Sequence, residues 1–281
     1  MKKICTKIIP VIFLLIFSIF GYGLSQQIVN AQTTPLKETK ELREEIFDRL
    51  VIIKAMIPPS FLEAGLNRPS PITSSGVIIS VNKNSRAIYI LSVSHSVIDF
   101  LMNRNKLDFN SKELKISVGI GGKDYSEVSV LGTFGLSDVS LLKLVLQDQE
   151  FKEVVDKIKT IEIGDGVEKF EDIFIAGFYS GIPIFSGGYF AEVYPVVLYE
   201  DINGNKTQKV VGYRLIFVLD RMIAPGMSGG LAFNKNKELI GILTQMLENV
   251  GGHIAIASPI TFTDWLRETL KIDSLAVKSD N

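Results

Sequence analysis

From about residue 70 onward, the chain carries a succession of short apolar segments with turn-forming residues between many of them. Apolar residues in these segments either alternate with polar ones or form short runs, which are the patterns of half-buried and fully buried strands. The segments read GVIISV, AIYILSVSH, LKISVGI, SEVSVLGTF, VSLLKLVL, DIFIAGF, FAEVYPVVLY, YRLIFVL, GGLAFN and ELIGILTQ. Strands at this spacing predict an antiparallel sandwich or barrel rather than alternating strand–helix units.

Helical patterns lie at both ends of this β-rich region. Before it, Leu36, Leu42, Ile46, Leu50 and Ile53 recur at helical spacing. They predict an amphipathic helix over residues 36–56, which Pro58-Pro59 then terminates. A closing helix is predicted over 261–272, and shorter ones near 97–104 and 149–157.

The first 31 residues have the pattern of a secretory signal. Three lysines precede an apolar run from Ile8 to Phe20, and small residues at 29 and 31 suit cleavage after Ala31. The sequence therefore predicts an exported protein that is periplasmic, extracellular or associated with the cell envelope. Retention of the segment as a membrane anchor is the alternative.

These patterns divide the chain into four parts. Residues 1–31 are the predicted signal, 32–58 a helical extension, 59–272 the β-rich domain and 273–281 a polar tail.

The composition excludes several kinds of site. Cys5, the single cysteine, lies in the predicted signal, so the mature chain would have neither a thiol nucleophile nor a disulfide. The two histidines, His95 and His253, lack the spacing of a zinc motif. A net charge of −1 gives no reason to expect a nucleic-acid partner. No metal and no cofactor is predicted.

A serine nucleophile needs a base, a group that orients the base, and donors for the oxyanion. Ser228 lies in Gly226-Met227-Ser228-Gly229-Gly230, where the glycines permit a tight turn. Such a turn can direct the backbone N–H groups of Gly226 and Ser228 to one point, forming an oxyanion hole. Taken alone, the segment is also compatible with a simple β-turn.

His95 and Asp138 are the candidates for the base and its orienting acid. His95 ends an apolar strand and has small serines on both sides, and Asp138 precedes the strand VSLLKL. Taken singly, His95 could be a core histidine and Asp138 a turn residue.

Taken together, SVSHSV, SDVSLLKL and GMSGG, in that order, resemble the histidine, aspartate and serine motifs of the trypsin-like serine peptidases. The resemblance covers about residues 70–270. Without disulfides, the sequence is most similar to the bacterial HtrA/Do-like exported branch, with no PDZ domain following. It implies a mainly β fold with two antiparallel six-stranded barrels, here with an N-terminal and a C-terminal helix. It also implies a serine endopeptidase that cleaves protein or peptide substrates through an acyl-enzyme without a cofactor.

Further residues acquire roles through the same resemblance. Thr244 matches a position whose hydroxyl supports the aspartate, Met222 the floor of the primary specificity pocket, and His253 lies in a stretch that would form a pocket wall. Met227 stands where many relatives have aspartate or asparagine, and an Ile-Val-Gly-Gly activation sequence is absent. Activation through a terminal salt bridge is therefore not expected.

Three other hypotheses remain at this point. The chain could be an inactive binding protein that retains the barrels. It could be an α/β-hydrolase, because the serine segment also satisfies G-x-S-x-G, although that fold requires a helix after the serine. In the third, the N-terminal helix gates the cleft of the peptidase.

Overall fold

The computed structural model of the 281-residue chain describes residues 40–56, 71–96, 115–134, 137–202, 205–221, 223–246, 253–259 and 263–270. Its helices are α1 (Lys40–Phe47), α2 (Asp148–Val155) and α3 (Thr263–Leu270). The strands of the N-terminal half are β1 (Leu50–Met56), β2 (Ile72–Asn82), β3 (Ala87–Val93), β4 (Lys115–Ile120), β5 (Lys123–Tyr125), β6 (Val128–Phe134) and β7 (Val139–Val145). Those of the C-terminal half are β8 (Asp172–Tyr179), β9 (Ile182–Ile202), β10 (Asn205–Leu219), β11 (Leu231–Asn234), β12 (Leu239–Met246) and β13 (Ile254–Pro259).

The N-terminal half forms a seven-stranded antiparallel sheet in the order β5-β4-β1-β2-β3-β7-β6. Every second residue of its strands points inward, and the inner set is rich in isoleucine, valine and leucine. Val51, Ile53, Ile78, Ile88, Ile90, Leu142 and Leu144 are fully buried in this core. The sheet curls around these side chains into a half-barrel.

The C-terminal half closes into a six-stranded barrel in the order β10-β13-β12-β11-β8-β9. Phe217 and Phe233 are its largest fully buried side chains. The predicted mainly β fold with two antiparallel barrels is thus confirmed, except that the first has seven strands and is open. The helices predicted near 149–157 and 261–272 are confirmed as α2 and α3.

The N-terminal helix is shorter than the sequence predicts. α1 ends at Phe47 and Leu50–Met56 is strand β1, so the prediction of a helix through residue 56 is wrong. The segment Leu50-Val51-Ile52-Ile53 is dominated by β-branched side chains, which favour strands because their χ1 rotamers are restricted in helices. Strand β1 pairs with β2 on one side and β4 on the other. Deleting residues 32–58 to test the gating hypothesis would therefore remove an inner strand of the first sheet.

Helix α1 belongs to the core. Leu42 and Ile46, four residues apart on one face, are buried with Phe174 and Phe185 of the closed barrel. None of the helices in the described residues is long and apolar enough to cross a membrane. The predicted signal, the helix near 97–104, Met222 and the polar tail lie outside the described residues.

Glu45 connects α1 to the closed barrel through a hydrogen-bonded ion pair with Lys237, and Arg49 contacts the same carboxylate at 3.0 Å. The hydrogen bonds from Lys237 and Arg49 lower the pKa of Glu45. Because the folded-state pKa lies below the unfolded one, the pair stabilises the fold at neutral pH. That contribution is lost as the pH falls through the folded-state pKa.

We therefore expect Glu45→Gln to lower the free energy of unfolding at neutral pH by about 0.5–1 kcal/mol, a small effect because the pair is partly exposed. Urea titrations at neutral and acid pH measure the difference, which should disappear in acid. Glu41→Gln, on the exposed side of α1, removes the same charge without this pair. A deficit of Glu45→Gln that persists in acid would contradict the assignment.

Candidate active site

His95 and Asp138 form a doubly hydrogen-bonded pair. The Nδ1 atom of His95 lies 2.6 Å from Oδ2 of Asp138, and the backbone N–H of His95 donates to Oδ1 of the same carboxylate at 2.9 Å. Both carboxylate oxygens are thus used, and the ring cannot pivot without breaking a short contact. The side chain of His95 keeps 41% of its surface exposed, whereas that of Asp138 keeps 18%. The imidazole edge carrying Nε2 is therefore the part left available for chemistry.

The segment around Asp138 is held from two directions. Asp138 has a φ of +56°, a left-handed conformation that aspartate adopts more readily than most side chains. Its carbonyl accepts a hydrogen bond from the N–H of Ser94 at 3.1 Å. The buried hydroxyl of Ser258, on β13 of the closed barrel, donates to the carbonyl of Ser137. The backbone that carries the carboxylate is therefore held by contacts with both barrels.

Ser228 lies in the connection between β10 and β11, which turns sharply at two glycines. Gly226 has a φ of +96° and Gly229 a φ of +84°, values that only glycine adopts without strain. Between them, Met227 is fully buried in the apolar core of the closed barrel. The N–H of Gly230 donates to the carbonyl of Met227 at 2.8 Å, and that of Gly229 to Leu243 at 2.7 Å. These bonds fix the backbone on the C-terminal side of Ser228.

Two backbone donors of this loop remain available. Among the described residues, the N–H groups of Gly226 and Ser228 have no hydrogen-bond acceptor. They are the two groups that the sequence predicts for the oxyanion hole.

The serine loop packs directly on the strand that leads to His95. A Cβ atom built on Gly229 would lie only 2.5 Å from Oγ of Ser92, and Ser92 is three residues before His95. The Oγ atom of Ser228 donates to the backbone carbonyl of Thr244 at 3.4 Å. Within the described residues no hydrogen bond joins that Oγ to His95.

The other predicted site residues have different outcomes. The hydroxyl of Thr244 donates to the carbonyl of Ile256 at 3.1 Å, and because it has a single proton it cannot also donate to Asp138. In this structure the Thr244 hydroxyl is therefore directed to Ile256, and its support of the aspartate stays a prediction. His253 is exposed at the start of β13, where its Nδ1 atom lies 3.2 Å from the carbonyl of Leu219. The stretch predicted as a pocket wall is, from Ile254 on, strand β13.

Three residues of this region carry no local sequence signal for their role. Ser258 supports the Asp138 segment, and Ser75 of β2 contacts the serine loop. Arg214 of β10 lies within electrostatic range of Asp138. Burial lowers the pKa of the Arg214 guanidinium, and the negative charge of Asp138 opposes that shift. In the described part of the chain, no cluster of histidine and carboxylate side chains could hold a metal ion.

Comparison with known proteins agrees with this fold. Residues 74–242 match the family model of the trypsin-like peptidase domain. The fold resembles the active form of the Rv3671c protease from M. tuberculosis, with 12% identity, a TM-score of 0.57, and coverage of 84% of this chain and 88% of that one.

Two other structures of the same protease are also similar. For its inactive serine-to-alanine mutant the identity is 12%, the TM-score is 0.54, and the alignment covers 85% of this chain and 98% of that one. For its inactive form the identity is 13%, the TM-score is 0.52, and the alignment covers 84% of this chain and 97% of that one. At such identities the likeness establishes the fold alone. None of the curated proteins compared with the chain matches it.

Proposed function

Because the chain belongs to the trypsin-like peptidase family, we propose that it is a serine endopeptidase with Ser228 as its nucleophile. The observation that carries the proposal is the double hydrogen bond between Asp138 and His95. A carboxylate that contacts both the ring Nδ1 and the backbone N–H of one histidine fixes the tautomer of that histidine as well as its orientation. Nε2 is then left unprotonated and able to accept a proton.

In the proposed reaction, Ser228 Oγ attacks the carbonyl carbon of the scissile peptide while its proton passes to Nε2 of His95. The carbonyl π electrons move to oxygen, and the resulting oxyanion accepts hydrogen bonds from the N–H groups of Gly226 and Ser228. His95 then protonates the leaving amine as the C–N bond breaks, giving the acyl-enzyme. Water attacks the ester with the same help from His95, releasing the acid and restoring Ser228.

Labelling with a fluorophosphonate probe tests this proposal. The probe phosphonylates an activated serine, so the wild-type protein should be labelled and Ser228→Ala should not. Ser85→Ala, in an exposed turn between β2 and β3, should be labelled like the wild type. Equal labelling of the wild type and Ser228→Ala would remove the basis for the proposal.

An inactive binding protein is the second candidate. The observation that favours it is the hydrogen bond of Ser228 Oγ to Thr244 rather than to His95. It predicts a folded wild-type protein that the probe does not label. The α/β-hydrolase hypothesis is wrong, because the strands pair in antiparallel fashion and strand β11, not a helix, follows Ser228.

The exported location and cleavage after Ala31 remain part of this proposal. N-terminal sequencing of the protein recovered from outside the cytoplasm tests both, since a retained anchor would leave the lysine-rich start in place.

A further inference from the structure

Ser75, a fully buried residue of strand β2, makes four hydrogen bonds around the serine loop. Its N–H donates to the carbonyl of Ser228 at 2.7 Å. Its Oγ accepts from the N–H of Phe178 at 2.8 Å and donates to the carbonyl of Gly226 at 3.3 Å. Its own carbonyl accepts from Oγ of Ser92 at 2.7 Å. One residue of the first sheet thus contacts both sides of Met227 in the closed barrel.

The direction of the two hydroxyl bonds follows from which groups can donate a proton. A serine hydroxyl has one proton, and the N–H of Phe178 can only donate. The hydroxyl of Ser75 therefore accepts from Phe178 and gives its proton to Gly226. The bond to Gly226 restrains the peptide between Gly226 and Met227, next to the N–H predicted to bind the oxyanion.

The loop needs such a restraint because of its composition. Gly226 has no side chain and can reverse its peptide plane at small energetic cost. Met227 cannot anchor the loop through an ion pair, since its side chain is apolar and fully buried. The backbone bonds on the C-terminal side of Ser228 do not reach Gly226. The N–H of Met227 does hold the peptide that follows Gly226, by donating to the carbonyl of Ala224, but at 3.3 Å this bond is long.

We propose that the hydroxyl of Ser75 is a positioning group that holds the Gly226 N–H in the orientation required for oxyanion binding. This inference rests on the proposed peptidase function. Ser75 does not touch the substrate and acts through the carbonyl of Gly226. The N–H of Phe178 in strand β8 donates to the same hydroxyl and fixes its orientation. A residue of the first sheet thereby orients the proposed oxyanion donor of the closed barrel.

The test compares Ser75→Ala with the wild type and with Ser74→Ala. Ser74 is the adjacent buried serine, and its hydroxyl has no partner within the described residues, so it controls for loss of a buried hydroxyl in the same strand. Removing an oxyanion donor outright costs about 10²- to 10³-fold in kcat. A donor that is misdirected rather than removed should cost less, so we expect kcat of Ser75→Ala to fall about 10- to 100-fold. KM should change little, because the oxyanion forms only after binding.

A peptidyl boronic acid provides a readout that a merely structural role would not change. Its tetrahedral adduct places an oxygen in the oxyanion hole, so its affinity should fall by the same factor as kcat/KM. Ser75→Cys, with a weaker donor at the same position, should have an intermediate kcat. If Ser75→Ala does not fold, Ser75→Cys alone decides the question.

The outcomes separate this inference from the proposed function. If the wild type and Ser74→Ala hydrolyse peptides and Ser75→Ala is slowed as stated, the inference is supported. A folded Ser75→Ala or Ser75→Cys that melts at lower temperature but keeps the wild-type kcat and boronate affinity overturns it, while the peptidase function stands. A wild-type protein that neither labels nor hydrolyses peptides overturns both.

Discussion

Asp138→Asn should lower kcat for peptide hydrolysis by about 10⁴-fold, the magnitude associated with this exchange in serine-peptidase triads. The amide oxygen can still accept from the backbone N–H of His95, so the loop geometry should be retained. The amide nitrogen, however, takes the place of Oδ2 and donates to Nδ1 of His95. The proton of the neutral imidazole then resides on Nε2, which can no longer accept one from Ser228.

Steady-state kinetics and the fluorophosphonate labelling rate measure the effect, and both should fall together. Asp165→Asn, in an exposed loop, makes the same chemical change away from the site and should leave both unchanged. If folded Asp138→Asn retains activity within about tenfold of the wild type, Asp138 is not the orienting acid, because losing that acid should lower kcat far more than tenfold.

Gly229→Ala should destabilise the protein by about 4 kcal/mol or more, among the largest effects of a single substitution. A Cβ atom at this position would lie 2.0 Å from the carbonyl oxygen of Ser75 and 2.5 Å from Oγ of Ser92. The first contact is with backbone in an inner strand, so a change of rotamer cannot relieve it. For a domain of this size, the melting temperature should fall on the order of 10 °C.

Gly122→Ala is the matched control, since it separates the clash from the backbone conformation. Gly122 has a φ of +85°, nearly that of Gly229, but a Cβ atom there would have nothing within 4 Å. The left-handed conformation alone costs about 1–2 kcal/mol, so thermal melts should show a much smaller loss for this variant. Similar losses for the two variants would show that strain, not the contact between barrels, governs the position.

The sequence identifies most strands because their apolar patterns are local. It misassigns β1 because Leu42, Ile46, Leu50 and Ile53 happen to continue a helical spacing across the boundary at Phe47. Short strand β5 overlaps the segment Gly121-Gly122-Lys123-Asp124, which has the composition of a turn, and it pairs with β4 across only the two residues Gly121 and Gly122. A strand of three residues has too short an apolar pattern to be distinguished from the turn beside it.

The site residues also differ in whether the sequence alone identifies them. Ser228, His95 and Asp138 lie in motifs whose neighbours are informative, so the sequence nominates them. Ser75 and Ser258 act through backbone carbonyls of distant residues, and only the register of the folded strands brings those carbonyls within reach. A serine near the start of a strand gives no sign of which remote carbonyl it will contact.

The central place of β1 has a consequence for how the chain acquires its structure. β2 is the nearer partner of β1 along the chain, whereas the other edge of β1 is covered only when β4 docks and Ile52 lies opposite Gly119. Until then, a strand rich in valine and isoleucine exposes a row of unsatisfied N–H and C=O groups, which is a template for intermolecular pairing. Non-local pairing of this kind also slows folding. Concentrated refolding mixtures should therefore lose material to aggregation mainly before β4 docks, and folding factors that shield an open strand edge should improve the yield.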